Sequence, residues 1–287
     1  SMDTFDRFYG AVPVEQRERL SHFRQQHPTH RTQVGELEWE YLTGGSGDEA
    51  VLLLVGGLRV ADAGFRSMTE LERNFRVINP TYPRALTMSQ LCDGLVGVLA
   101  AEGVARAHVL AGSFGGMVAQ ALVRLHPQSV KSLILSNTAV LDETAAARYR
   151  SELDMITPVP AELVREGAKE RFYQMVAPPE HESVFWRAYL DELFTVRLDK
   201  GDLLSTYHCL LDFATHFTLT PIHQPRTLII ESSDDATFDQ KQRDAVKILY
   251  PHAQVHTFDS AGHSAATTQR DTYFHVVRKF IYARTEP

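Results

Sequence analysis

Apolar residues fall into short blocks separated by polar joints rich in glycine and proline, and the period of the blocks changes in an ordered way along the chain. Val51 to Val55 is an uninterrupted apolar run that reads as a buried strand, and Phe75 to Asn79 reads as another buried strand. Each has the length of a strand buried on both faces. From there a helical pattern (Met88 to Glu102), a strand (Ala107 to Ala111), a helix (Phe114 to Leu125) and a strand (Ser132 to Ser136) alternate. Such alternation implies right-handed crossovers and a mostly parallel sheet. Upstream, Leu37 to Leu42 alternates apolar and charged like a half-exposed strand. Gly44 to Asp48 is a turn, and residues 2–27 read as a polar arm with a helix around Val14 to Gln26. From about Asp142 to Leu219 the pattern becomes helical, rich in Arg, Glu and aromatics, with breaks at Pro158, Pro160, Pro178 and Pro179. It returns to strand at Arg226 to Glu231 and at Ala253 to Phe258. The expected class is α/β, a mostly parallel central sheet with helices on both faces. Its core comprises residues 1–141 and 220–287, and a helical segment of residues 142–219 is inserted.

The chemistry gathers where strands end. Ser113 sits in Val-Leu-Ala-Gly-Ser-Phe-Gly-Gly-Met (109–117), an apolar strand that breaks into small residues around a serine and resumes as a helix. That is the signature of a nucleophile elbow. The positions two before and two after the serine must be nearly free of side chain, and they are Ala111 and Gly115. The general pattern has glycine at the first, so alanine is a one-methyl departure. Downstream, Arg226-Thr-Leu-Ile-Ile-Glu231 is followed at once by Ser232-Ser233-Asp234-Asp235, and Ala253 to Phe258 closes on Asp259-Ser-Ala-Gly-His263. A nucleophilic serine needs a base to take its proton, and the base needs an acid to orient it. Ser113, Asp235 and His263 stand in the chain order used by one such architecture, each at a strand's C-terminal end, where open parallel sheets bind ligands. Asp234, adjacent to Asp235, is a second candidate for the acid.

On these residues the chain resembles the α/β-hydrolase superfamily over nearly its whole length. The stretch from Cys92-Asp-Gly to Ala111-Gly-Ser-Phe-Gly-Gly116, with Ser132-Leu-Ile-Leu-Ser-Asn137 and Leu249-Tyr-Pro-His-Ala253, looks most like maspardin-type members. Some of those lack the catalytic histidine, so the Gly262-His263 pair is informative. In the superfamily the acid stands three residues after a glycine that ends the strand. Ser232 occupies that glycine's place, which selects Asp235, leaving Asp234 as a loop cap and Asp259 as structural. The resemblance also makes residues 142–219 a cap over the active site, with Trp186, Phe194 and Phe213 as lining or core aromatics. The oxyanion hole would use the backbone N–H groups of Phe114 and of Leu58, in the loop Val55-Gly-Gly-Leu-Arg59, where members often have His-Gly in place of Gly56-Gly57. Arg59 follows directly and is expected at the cleft mouth. There it would bind a substrate carboxylate by a bidentate pair, unless it turns to solvent or to a neighbouring acid. A serine at the elbow argues against dehalogenase and epoxide-hydrolase chemistry, which uses an aspartate there. The expected activity is hydrolysis of a small to medium carboxylic ester, thioester or lactone through an acyl-enzyme. A cofactor-free lyase, a carbon–carbon bond hydrolase or a cyclase on the same triad, and a non-catalytic scaffold, stay open beside it.

Bulk properties narrow the partners. The 287 residues are 44% hydrophobic, enough for a full core, and carry a formal net charge of −7. A chain without a basic field has little hold on nucleic acid. No stretch has the apolar length of a membrane span, and the amino terminus lacks a signal pattern, so no membrane partner is expected. Two cysteines, Cys92 and Cys209, make no disulfide framework and read as free buried thiols of a cytoplasmic protein. His27 and His30 form no convincing metal set, and His208 and His216 are by default core or surface residues. No metal or other cofactor is expected; the partner is a small-molecule substrate, with a homodimer left open.

Overall fold

The computed structural model describes residues 3–283. Eight strands form one sheet: β1 (His30–Val34), β2 (Leu37–Gly44), β3 (Ala50–Leu54), β4 (Arg76–Thr81), β5 (Ala107–Gly112), β6 (Val130–Ser136), β7 (Arg226–Ser232) and β8 (Gln254–Phe258). Their order is β1-β2-β4-β3-β5-β6-β7-β8. The pairings from β4 to β8 are parallel, and β2 runs antiparallel to both β1 and β4. The order reverses around β3, which has β4 on one side and β5 on the other. A crevice therefore opens between the C-terminal ends of β3 and β5, the usual place for ligands in open α/β sheets.

Twelve helices flank the sheet among the described residues: α1 (Thr4–Tyr9), α2 (Val14–Gln26), α3 (Phe65–Leu71), α4 (Met88–Ala101), α5 (Phe114–Leu125), α6 (Glu143–Ile156), α7 (Ala161–Val176), α8 (Ser183–Glu192), α9 (Lys200–His216), α10 (Gln240–Leu249), α11 (Ala265–Thr268) and α12 (Arg270–Tyr282). Side chains alternate across a strand, so each strand feeds two cores. Leu52, Leu54, Val109, Ala111, Leu133 and Leu135 join α4, α5, α9 and α10 on one face. Val51, Leu53, Leu110, Ile134, Leu228 and Ile230 join α1, α2, α3, α8 and α12 on the other. Both faces are covered, which is why the central positions of these strands are apolar. Both cysteines are free and buried.

The arm is not the polar appendage its composition suggests. It buries Tyr9, Val12, Leu20 and Phe23, and it ties the inserted segment to the sheet. Tyr9 donates to Glu192 Oε1 at 2.8 Å, and Arg24 donates to Asp62 Oδ2 at 2.9 Å and to Glu192 Oε1 at 2.7 Å. No helix among the described residues is long and apolar enough to cross a membrane.

Candidate active site

Ser113 stands between β5 and α5 with φ 48° and ψ −119°. A side chain in this region costs about 1–3 kcal/mol and persists only where its surroundings impose it. Here its N–H donates to the Ser136 carbonyl at 3.0 Å, and its carbonyl accepts the Thr138 hydroxyl at 2.6 Å and the Gly116 N–H at 2.9 Å. Gly115 lets α5 start against the end of β3. A β-carbon there would lie 2.4 Å from the Leu54 carbonyl oxygen and 2.5 Å from that of Val55. The turn thus lifts the serine hydroxyl above the sheet edge.

His263 follows Gly262, whose φ of 63° turns the chain sharply after β8. The ring's Nε2 lies 3.0 Å from Ser113 Oγ, and its Nδ1 lies 3.0 and 3.1 Å from the two carboxylate oxygens of Asp235. A carboxylate accepts, so the proton sits on Nδ1 and the Nε2 lone pair faces the serine hydroxyl. Phe238 presses edge-on to the ring, with centroids 5.4 Å apart. Asp235 Oδ1 also receives the N–H groups of Thr237 at 2.8 Å and Phe238 at 3.3 Å. Burial alone would raise this carboxyl. The bond and charge of His263, with the two backbone donors, outweigh it and hold the group below the ordinary carboxylate value.

Of the two adjacent aspartates, only Asp235 reaches the histidine. Asp234 Oδ1 accepts the Gly262 N–H at 3.0 Å and so fixes the turn that presents the ring. Asp259 takes part through its backbone carbonyl, which accepts the Ser233 hydroxyl at 2.9 Å.

Asn137, which the pattern of the chain does not single out, sits at the end of β6 with φ 47°. Its side-chain N–H groups reach Ser232 Oγ at 3.1 Å, Asp235 Oδ2 at 3.4 Å and the Gly262 carbonyl at 3.4 Å. Its backbone N–H donates to the Ile230 carbonyl at 2.9 Å. It pins together the ends of β6 and β7 and the histidine loop. A lone asparagine after a strand reads as an ordinary turn residue, so only the tertiary contacts reveal it.

Leu58 lies in the loop after β3, and among the described residues its N–H has no backbone acceptor. The Phe114 N–H opens α5 and is one of the free donors of a helix's first turn. Neighbouring strands bring the two segments together, since Leu54 and Ala111 are register partners.

Arg59 corrects the expectation placed on it. It is 1% exposed and absent from the cleft. Its guanidinium donates to Thr206 Oγ1 at 2.7 Å, to the Pro83 carbonyl at 2.8 Å and to the Tyr82 carbonyl at 3.2 Å. Tyr82 returns two bonds, from its hydroxyl to the Val55 carbonyl at 2.6 Å and from its N–H to the Arg59 carbonyl at 3.0 Å. Arg59 therefore clamps the Leu58 loop to α9 and cannot meet a substrate carboxylate. Its partner in α9 lies far away in sequence, which is why proximity to Leu58 alone misplaces it.

A cavity of about 200 Å³ opens at Ser113 and His263. The loop after β3 forms one side, Leu53 and Leu110 the floor, and Ala265, Ala266 and Tyr273 another side. Phe172, Met175 and Val176 of α7 and Trp186 of α8 close it, so the inserted segment supplies part of the wall. Phe194 and Phe213 are core residues, at 1% and 0% exposure. Among the described residues, the lining contains no Lys, Arg, Asp or Glu, and no cluster of His, Cys, Asp and Glu side chains is arranged to hold a metal ion.

Comparison with known proteins bears on the fold. Residues 80–268 match the sequence profile of the alpha/beta hydrolase fold. A 2-hydroxymuconate semialdehyde hydrolase of Pseudomonas putida is 25% identical over 211 residues, 65% of this chain and 66% of that protein. The chain thus spans just under two thirds of that relative's length. A hydrolase from Pseudomonas aeruginosa superposes with a TM-score of 0.75 at 20% identity, covering 90% of this chain and 98% of the other. The enol-lactonase from Burkholderia xenovorans superposes with a TM-score of 0.72 at 18% identity, covering 88% and 100%.

Proposed function

Since the chain belongs to the alpha/beta hydrolase fold family, we propose that it is a serine hydrolase acting on a compact, uncharged carboxylic ester, thioester or lactone through an acyl-enzyme. The observation that carries this reading is the unbroken line of bonds from Ser113 Oγ through His263 to Asp235, each near 3.0 Å. As Ser113 Oγ attacks the carbonyl carbon, His263 Nε2 takes its proton and Asp235 stabilises the imidazolium. Positioned base catalysis of this kind is worth about 10²–10⁴ in rate. The oxyanion falls to the N–H groups of Leu58 and Phe114, each worth about 2.7–4 kcal/mol in the transition state. His263 then protonates the departing oxygen or sulfur, the bond from it to the carbonyl carbon breaks, and water repeats the sequence to free the acid and Ser113.

The lining argues for an uncharged substrate. A carboxylate in a cavity without a cation loses hydration worth several kcal/mol with nothing to offset it. The volume, below the roughly 300–1,000 Å³ of sites for drug-sized ligands, favours a short acyl group. We assign residues 142–219 the role of cap, because α7 and α8 wall the cavity. Carbon–carbon bond hydrolysis is the second reading, favoured by the relative from Pseudomonas putida. The closer maspardin-like resemblance rests on sequence motifs alone.

A panel of short-acyl p-nitrophenyl esters, thioesters and lactones, each with a carboxylate-bearing counterpart, tests the reading. Turnover of the neutral members with at least tenfold lower kcat/KM for the charged ones supports it. Preference for the charged members overturns it.

A further inference from the structure

Glu231 at the end of β7 and Arg243 near the start of α10 form an ion pair inside the protein. They are 5% and 8% exposed, and Arg243 Nε lies 3.2 Å from Glu231 Oε2. Both border a small cavity that Asp235 and Asn137 also line, so the pair sits against the acid of the triad. The rest of the guanidinium fork serves the segment that joins Asp235 to α10. Its Nη1 donates to the Phe238 carbonyl at 2.9 Å and its Nη2 to Gln240 Oε1 at 3.3 Å. Phe238 in turn donates its N–H to Asp235 Oδ1 at 3.3 Å and sets its ring edge-on to His263. A continuous path thus runs from β7 through Glu231, Arg243 and Phe238 to both partners of Ser113. Lys247 also reaches Glu231, but from the solvent side. Its side chain is 32% exposed and is shared with Asp244 at 3.4 Å.

A buried ion pair is costly to dehydrate, and replacing both partners by uncharged side chains is often neutral for stability. Stability alone is therefore a weak reason for this pair. The segment above it supplies a stronger one, because residues 233–239 belong to neither strand nor helix. The backbone there has no ladder to fix it, yet it carries Asp235 and the Phe238 ring. We propose that Arg243, oriented by Glu231, is a positioning residue for catalysis, its bond to the Phe238 carbonyl fixing the segment that holds Asp235 and packs on His263. This rests on the serine-hydrolase reading of the site and adds a support to it. Neither Glu231 nor Arg243 lines the cavity at Ser113, so both act through Phe238 and Asp235.

The test uses the full chain with Glu231→Gln and Arg243→Met made together, which removes both charges at once, and Lys247→Met as the control. The double variant is expected to melt within about 4 °C of wild type. Its kcat on p-nitrophenyl butyrate should fall about tenfold, a part of the roughly 10²–10⁴ that positioned base catalysis supplies, with KM within about twofold. Labelling of Ser113 by a fluorophosphonate should slow by the same factor. The proton NMR signal of His263 Nδ1–H should move upfield as its bond to Asp235 loosens. Lys247→Met is expected to stay within about twofold of wild type in every rate. A purely structural pair would lower the melting temperature and leave kcat and the NMR signal of the folded protein unchanged, which overturns the proposal. A double variant that does not fold, a change confined to KM, or a loss in Lys247→Met as large as that in the double variant also overturns it. A wild type that neither turns over the ester nor takes the label defeats the serine-hydrolase reading, and the NMR signal then decides the positioning role by itself.

Discussion

Asp235 meets His263 with both carboxylate oxygens, at 3.0 and 3.1 Å from Nδ1, while the neighbouring Asp234 spends its side chain on the Gly262 N–H. Two adjacent aspartates thus hold the histidine from opposite sides, one at the ring and one at the backbone before it. Asp235→Asn presents an amide where the ring needs an acceptor and favours the wrong tautomer. Its kcat is expected to fall by up to about 10⁴. Asp234→Asn keeps an acceptor for Gly262 and should stay within about tenfold of wild type. Steady-state kinetics of the two variants on one ester checks the order, and a larger loss at Asp234 reverses the assignment.

Asp235 also sets a pH dependence of stability. Its carboxyl lies below the ordinary value in the folded protein, so the unfolded chain binds the proton first. The contribution is present above the ordinary carboxylate pKa, about 3.9, and is lost as pH falls through the lower folded value. Denaturant unfolding from pH 6 down to 3 should show wild type losing stability relative to Asp235→Asn over that acid range. A difference that is constant with pH contradicts the linkage.

Arg59 is expected to matter to every substrate alike. Arg59→Ala strands the Tyr82 and Pro83 carbonyls and the Thr206 hydroxyl, each at a cost of about 1–3 kcal/mol where burial denies it water. It also frees the loop carrying Leu58. Stability should drop, and kcat on neutral and carboxylate-bearing esters should drop by the same factor. A selective loss on the anionic esters would return Arg59 to the cleft mouth.

Asn137 separates a backbone role from a side-chain role. Its positive φ is one that glycine adopts without strain, whereas its amide alone reaches Asp235, Ser232 and the Gly262 carbonyl. If the amide holds the acid in place, Asn137→Gly and Asn137→Ala should both lower kcat by about tenfold with KM nearly unchanged. Full activity in the glycine variant would reduce Asn137 to a turn residue.

Much of this architecture was legible because parallel strands buried on both faces are apolar runs, and because an elbow admits few residue types. The helices Val14–Gln26 and Phe114–Leu125 end where the pattern of the chain ends them. The resemblance to the superfamily, which puts Ser232 in the place of the strand-ending glycine, implies the aspartate that the fold brings to His263. What stayed hidden depends on distant partners. The polar strand β1 exists by pairing with β2, not by any apolar pattern of its own. Tyr9 and Arg24 are drawn inward by Glu192 and Asp62. The cavity wall at Phe172 and Trp186 is set by where α7 and α8 come to rest, which no local periodicity encodes.

The central claim is that Ser113 is an activated nucleophile, and covalent labelling by a fluorophosphonate tests it most directly. At neutral pH the protein should take up one equivalent, mass spectrometry of the digest should place the adduct on Ser113, and Ser113→Ala should keep the fold and lose the label. Labelling should slow sharply in Asp235→Asn and hardly at all in Asp234→Asn. A folded wild-type protein that stays unmodified, or that carries the adduct at a residue other than Ser113, contradicts the account.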